Sequence, residues 1–260
     1  MNLEIILRTH DQSNVHKDRE RYCNLDKKTL IIKCLSSLVN SANRVKDHTI
    51  NFKILDDHSS EDFIQQFYKV MDKCKWPYEL FRMKESGYNY SALKQFEYIR
   101  DSEADVVYSV EDDYLHCPTA IEEMLENFVY FKEKTGKDIV LWPFDFPDDY
   151  NPAPSAPAFV VYGTRRHWRT GFWTTNTFMV SPQILVDHWP VFEKLATQYN
   201  SDYSRPPPHI HEGNTICEIW QNHAIRFSPI PSLALHMQFE QQKDPYIDWQ
   251  KWMDEYTVIE

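Results

Sequence analysis

Glycine is scarce: five occur in 260 residues. None falls in a G-x-G-x-x-G or G-x-x-x-x-G-K-[ST] pattern, so the common glycine-loop routes to a bound phosphate are absent. Long apolar runs are missing as well. None approaches the roughly 20 residues needed to span a bilayer, and the opening MNLEIILRTHDQ is charged too soon to read as a signal peptide. Basic charge is in deficit, with 28 Lys and Arg against 39 Asp and Glu and a net charge of −11. That balance excludes a protein that tracks the phosphates of nucleic acid. The five cysteines, Cys23, Cys34, Cys74, Cys117 and Cys217, are dispersed without paired spacing. They read as free thiols in a reducing compartment, so a cytoplasmic location is expected.

What is present is an alternation. Leu3–Leu7, Ile50–Leu55, Tyr78–Met83 and Asp105–Val110 read as short buried strands. Between them, Lys27–Val39, Asp62–Cys74 and Ser91–Arg100 carry apolar residues at helical spacing. Such alternation predicts an α/β fold with a mostly parallel sheet. In such sheets ligands sit at the carboxyl ends of the strands. Three of those ends are polar and acidic here: Arg8-Thr9-His10-Asp11, at the start of the polar loop Arg8–Asn14, Asp56-Asp57-His58 and Glu111-Asp112-Asp113.

The second half is less regular. Helices are predicted over Pro118–Lys134, Pro182–Gln198, Asn214–His223 and Asp248–Tyr256, and strands over Asp138–Phe144 and Ile225–Ile230. Phe172–Val180 is β-rich. Pro147–Pro157 and Ser204–His211 read as loops, and Thr164–Thr170 as a basic, aromatic loop.

Three consecutive carboxylates follow the fourth strand. In an extended segment Glu111 and Asp113 share a side and Asp112 points away. Two carboxylates converging at a strand end make a hard-oxygen site for Mg²⁺ or Mn²⁺. A cation there can bridge to a diphosphate, which gives an acidic protein a way to bind a phosphorylated donor. The alternative is a solvated acidic turn ahead of the helix at Pro118.

The order of these features resembles the glycosyltransferases of the A-type fold, especially the large family 2 group. The quoted residues are Ile54-Leu55-Asp56-Asp57-His58-Ser59-Ser60 after the second strand, Gly87-Tyr88-Asn89-Tyr90-Ser91-Ala92-Leu93 before the fourth, and Glu111-Asp112-Asp113 in the place of the D-x-D motif. The match covers about the first 120 residues of the chain, and Glu111 stands where the family has Asp. The resemblance implies a Rossmann-like half (1–117) that binds a nucleoside-diphosphate sugar, fused to an acceptor-binding half (118–260) in a single domain. It implies Arg8, Thr9, Asp56, Asp57, Glu111 and Asp112 as donor-binding residues. Asp113 and His236 would be ligands of Mn²⁺ or Mg²⁺, His236 because a late histidine follows the helix–strand unit in such enzymes. It also implies a catalytic base at the start of a late helix, which is Glu212 here, with Glu218 in reserve. The reaction implied is metal-dependent, inverting transfer of a hexosyl group to a hydroxyl of a glycan or other acceptor.

Other residues are candidates on chemistry alone. Asp145 can contact the acceptor or the donor sugar. Arg165, Arg166 and Arg169 can meet diphosphate or a charged acceptor, or simply be solvated. Trp168, Phe172 and Trp173 can stack on a sugar face or pack in a core. His209, His211, Cys217 and His223 lie close in sequence, but H-x-H-x5-C-x5-H is not a common structural zinc spacing. Two other functions stay open: a sugar nucleotidyltransferase, against which the first loop lacks glycine, and a non-catalytic domain that binds carbohydrate or protein. Oligomeric state has no signature in the sequence.

Overall fold

The computed structural model describes residues 1–12, 23–150, 158–201, 204, 206–239 and 242–258. The chain begins with β1 (Asn2–Thr9), α1 (Lys27–Asn43), β2 (Thr49–Asp56), α2 (Glu61–Met71), β3 (Tyr78–Arg82), α3 (Tyr88–Arg100) and β4 (Val106–Val110). Next come β5 (Tyr114–His116), α4 (Ala120–Thr135), β6 (Ile139–Leu141), β7 (Val160–Tyr162), β8 (His167–Gly171) and β9 (Phe178–Val180). The last elements are α5 (Gln183–Asp187), α6 (Trp189–Gln198), α7 (Ile216–Asn222), β10 (Ile225–Ile230), β11 (Ala234–His236) and α8 (Trp249–Glu255).

Among the described residues, nine strands form one sheet in the order β3-β2-β1-β4-β9-β6-β10-β8-β7. The run β3-β2-β1-β4 is parallel throughout. Beyond it β9 lies antiparallel to β4 and β6, β10 is parallel to β6, and β8 and β7 complete an antiparallel edge. The sheet is thus mixed but parallel over most of its paired length, an α/β fold with the Rossmann-like order that the family resemblance implies. Both halves of the chain share it.

Side-chain alternation explains why both faces are covered. Leu3, Ile5 and Leu7 of β1 join the cluster with Leu35, Phe63 and Met124, while Ile6 joins Phe96, Ile99 and Phe192 on the other face. A strand buried on both faces reads as the continuous apolar run LEIIL. Helix starts are fixed locally: the Asp26 carboxylate accepts from Thr29 N (2.9 Å) and Ser60 Oγ from Phe63 N (3.2 Å). Gly136 closes α4 at φ 63°, where a left-handed residue is needed. No described helix is long and apolar enough to cross a membrane.

The predicted elements differ from the observed ones mainly in the second half. The single helix expected over Pro182–Gln198 is broken at His188, because Pro190 at the start of α6 has no N–H to continue a helix. The strand expected over Asp138–Phe144 pairs only at Ile139–Leu141, and Phe172–Val180 only at Phe178–Val180. The helix expected from Asn214 starts at Ile216, after a 3-10 turn at Glu212–Asn214. The basic stretch Thr164–Thr170 is no loop at its end, since His167–Gly171 is β8. Arg8 and Thr9, expected in a loop, extend β1, while residues 13 and 14 lie outside the described residues. Of the loop expected at Pro147–Pro157, Pro147–Tyr150 is a 3-10 turn and residues 151–157 lie outside the described residues. Residue 205 of the Ser204–His211 loop does too.

Candidate active site

The carboxyl ends of β1, β2 and β4 open onto a cavity of about 2050 Å³. Arg8, Thr9, Asp57, Glu111, Asp112 and Asp113 line one end of it. The acidic triplet is not extended. The backbone turns at Asp112 and Asp113, so all three carboxylates line the cavity, whereas strand geometry had set Asp112 on the opposite side.

Each carboxylate has its own partner. Glu111 Oε1 lies 3.7 Å from Arg8 Nη2, and Thr177 Oγ1 donates to Glu111 Oε2 at 3.3 Å. Asp112 Oδ2 accepts from His10 N at 2.9 Å and lies 3.6 Å from Lys27 Nζ. Asp113 Oδ2 accepts from Gln238 Nε2 at 3.1 Å, and its Oδ1 faces His236 Nε2 at 3.4 Å. Burial raises the Glu111 and Asp112 carboxyls above the usual range. Burial acts on Asp113 in the same direction, but the His236 imidazole outweighs it and holds Asp113 well below that range. For His236, burial disfavours the charged ring, yet the Asp113 carboxylate prevails and raises it.

An element absent from the sequence reading places this pair. β5, directly after the triplet, pairs antiparallel with β11, and His236 sits opposite Tyr114. The Tyr114 and His236 rings stack at 4.6 Å and 13°, and Met237 N donates to Asp113 O at 2.9 Å. Asp113 Oδ1 is buried and accepts no hydrogen bond. Among the described residues no three or more His, Cys, Asp or Glu side chains are gathered to hold a metal, so there is no all-protein cage. A carboxylate oxygen and an imidazole facing an open cavity nevertheless suit a divalent cation that completes its shell with ligand phosphates and water. The zinc candidates do not assemble: His211 caps its own turn, buried Cys217 is pushed up to about 12 by burial, and the His223 ring packs at a 42° tilt against His188, 4.6 Å away.

The two acids after β2 have different places. Asp56 is fully buried and accepts from Thr9 Oγ1 (3.2 Å) and Ser59 N (3.3 Å), with Arg82 Nε at 3.2 Å. It braces the loop and is not in the cavity wall. Asp57 is in the wall and accepts from Gly87 N at 3.0 Å. Gly87 has φ 120°, a conformation that side chains resist, so glycine is required where α3 meets the cavity.

Glu212 lines the same cavity, on the 3-10 turn that His211 caps by accepting from Gly213 N at 3.1 Å. Burial pushes its carboxyl up to about 7, and the Glu111 charge adds to the rise while Arg8 and His236 oppose it. Glu212 thus shares one electrostatic field with the triplet. Glu218 is exposed on α7 and is not in the cavity wall. Trp173 lies beside Glu212: a Cβ on Gly213 would come within 2.5 Å of its ring, so this glycine makes room for the indole. Trp173 and Phe172 line the cavity, whereas Trp168 is fully buried against Phe131. Arg165 and Arg166 are engaged by Glu122, Glu126 and Glu123 on α4, outside the wall. Asp145 is buried, salt-bridged to Arg169 at 2.8 Å and pushed up to about 6 by burial.

Sequence reasoning missed Tyr88, Tyr199 and Arg226. Tyr88 carries the Arg8 guanidinium 4.8 Å over its ring and packs on Tyr199 at 4.4 Å, and both tyrosines line the cavity. Tyr88 immediately follows the flagged Gly87, which was the available signal; Tyr199 and Arg226 had none.

No protein-family description matches this sequence, and no curated protein matches it. Among solved structures, S. aureus TarS 1–349 is similar with a TM-score of 0.48 and 12% identity over 88% of this chain and 60% of that one. The same TarS fragment in complex with UDP-GlcNAc gives 0.45 and 14% over 75% and 54%. The mannosyltransferase PcManGT from Pyrobaculum calidifontis, in complex with GDP-Man and Mn²⁺, gives 0.37 and 12% over 54% and 34%. The chain thus spans at most 60% of the length of these solved chains.

Proposed function

We propose that this chain is a glycosyltransferase that moves a hexosyl group from a nucleoside-diphosphate sugar to an acceptor hydroxyl with inversion. The observation that carries the reading is Glu212, a carboxyl pushed up to about 7 by burial, lining the same cavity as the Asp113–His236 pair. The cavity volume of about 2050 Å³ is well beyond the roughly 300–1,000 Å³ that holds one small ligand, so donor and acceptor have room together.

The proposed division of labour is supported by the residues that line the walls. Residues 1–117 supply the donor end: Arg8, Thr9, Asp57, Glu111 and Asp112 line the carboxyl edge of the parallel strands. Residues 118–260 supply the acceptor end, with Trp173 as an apolar face for a sugar ring beside Glu212. An acceptor hydroxyl is a poor nucleophile at pH 7. Glu212, ionised near neutrality, takes its proton as it attacks the anomeric carbon. Asp113 and His236 would hold Mn²⁺ or Mg²⁺, which supplies charge neutralisation for the departing diphosphate.

The test separates binding from chemistry. Glu212→Gln keeps the shape of the site and removes the base. It should bind nucleotide-sugar within about twofold of the parent and lose at least a hundredfold in transfer, the usual reach of general-base catalysis. Transfer at the parent rate in this variant refutes Glu212 as base.

A further inference from the structure

We propose that Arg169 and Arg226 form a subsite for an anionic group, a phosphate or a carboxylate, carried by the acceptor. The anion's place on an acceptor rests on the transferase reading; its binding here does not.

The two arginines come from neighbouring strands. Arg169 on β8 lies opposite Ser228 of β10, and Arg226 on β10 opposite Gly171 of β8. Gly171 is what admits the Arg226 guanidinium, because a Cβ there would come within 2.5 Å of it. Both side chains line the cavity and both are buried, at 6% and 0% exposure. They converge on one atom: Asp149 Oδ2 accepts from Arg169 Nη2 at 3.0 Å and from Arg226 Nη2 at 3.2 Å. One carboxylate oxygen between two guanidinium groups is the arrangement that a bound phosphate or carboxylate makes with paired arginines.

Asp149 Oδ2 occupies the place that the proposal assigns to the ligand anion. Asp149 belongs to the short turn Pro147–Tyr150, outside the sheet, while the arginines are fixed in it. With only the Asp149 side chain turned away, the other contacts stay: Arg169 Nη2 donates to Asp145 Oδ1 (2.8 Å), its guanidinium lies over the ring of Tyr150, whose hydroxyl donates to Asp145 Oδ2 (2.7 Å), and Arg226 Nη1 donates to Ser228 Oγ (2.7 Å). With the Asp149 side chain turned away, Arg169 keeps Asp145 as its carboxylate partner and Arg226 keeps the Ser228 hydroxyl, so the Arg226 charge is left for an incoming anion. Both Nε atoms are buried and have no hydrogen-bond partner. Leaving such donors unmade is unfavourable, and an incoming multi-oxygen anion supplies the missing acceptors. Aromatic Phe159 and Phe172 line the approach, as suits a charged sugar rather than a bare ion.

The test uses glucuronate, glucose 6-phosphate and glucose as probes, titrated by calorimetry with and without a saturating nucleoside diphosphate. The charged sugars should bind and glucose should not, with the nucleotide present or absent. Tighter binding of glucuronate assigns a carboxylate, and of glucose 6-phosphate a phosphate. Asp149→Asn removes the competing charge and should tighten charged-sugar binding about tenfold, while Arg169→Gln should abolish it. Equal binding of charged and neutral sugars overturns the subsite, as does charged-sugar binding that vanishes under nucleotide, which would place it at the donor end. If Asp149→Asn does not fold, the comparison of the parent protein with Arg169→Gln decides. Failure of the transferase reading would show separately, as absence of any nucleotide binding.

Discussion

As the proposed base, Glu212 would accept a proton near neutral pH, and its half-buried place in the cavity wall suits that task. Burial pushes it to about 7, so the protonated, inactive form dominates below that pH. The pH profile of kcat/KM should therefore fall about tenfold per unit below pH 7, and Glu212→Gln should lack that limb. The same residue makes a stability prediction of opposite sense. A carboxyl raised in the fold binds more protons folded than unfolded between pH 4.5 and about 7. Its contribution is present below the unfolded value and is lost as pH rises through about 7. The ceiling is about 3 kcal/mol, from 1.36 kcal/mol per unit of displacement. Glu212→Gln should thus melt higher than the parent at pH 8 and close to it at pH 4.5. A lower melting temperature at pH 8 would show that the ionised carboxylate is stabilised, not strained, in this site.

The elements that place the site were unequally legible. The β1–β4 alternation was readable because strands buried on both faces leave apolar runs bounded by polar ends, and Asp26 and Ser60 cap their helices by local chemistry. The triplet was readable from its composition at a strand end, Glu212 and His236 only through the family resemblance, and all of them line one cavity. The β5–β11 pairing was not readable: three-residue strands more than 100 residues apart carry no period to detect, yet they set His236 beside Asp113. Nor was the Arg169–Arg226 convergence, which depends on strand register. Leu235 is buried in β11 at 1% exposure. Leu235→Ala should cost about 2–5 kcal/mol as a core truncation. It should also weaken metal-supported nucleotide binding at least tenfold, measured at a temperature where the variant is folded. Unchanged metal dependence in the folded variant would separate β11 from the cation.

At the scale of the whole molecule, one sheet joins the parallel run β3-β2-β1-β4 to the mixed half, and the proposed reading sets the donor along the first and the acceptor along the second. On the proposed reading, a cation would reconcile a chain of net charge −11 with a diphosphate. Asp113→Asn should therefore abolish any gain in nucleotide affinity that Mn²⁺ or Mg²⁺ confers, read by titration with and without chelator. The most direct measurement is a thermal-shift screen of nucleoside diphosphates and nucleotide-sugars, each with and without Mn²⁺ or Mg²⁺. A ligand that binds only the folded state raises the melting temperature by mass action. A shift that needs both one nucleotide and the cation is predicted, and it would identify the donor base. No shift with any nucleotide, in a folded sample, would contradict the account and leave the Glu111-Asp112-Asp113 turn as surface acidity.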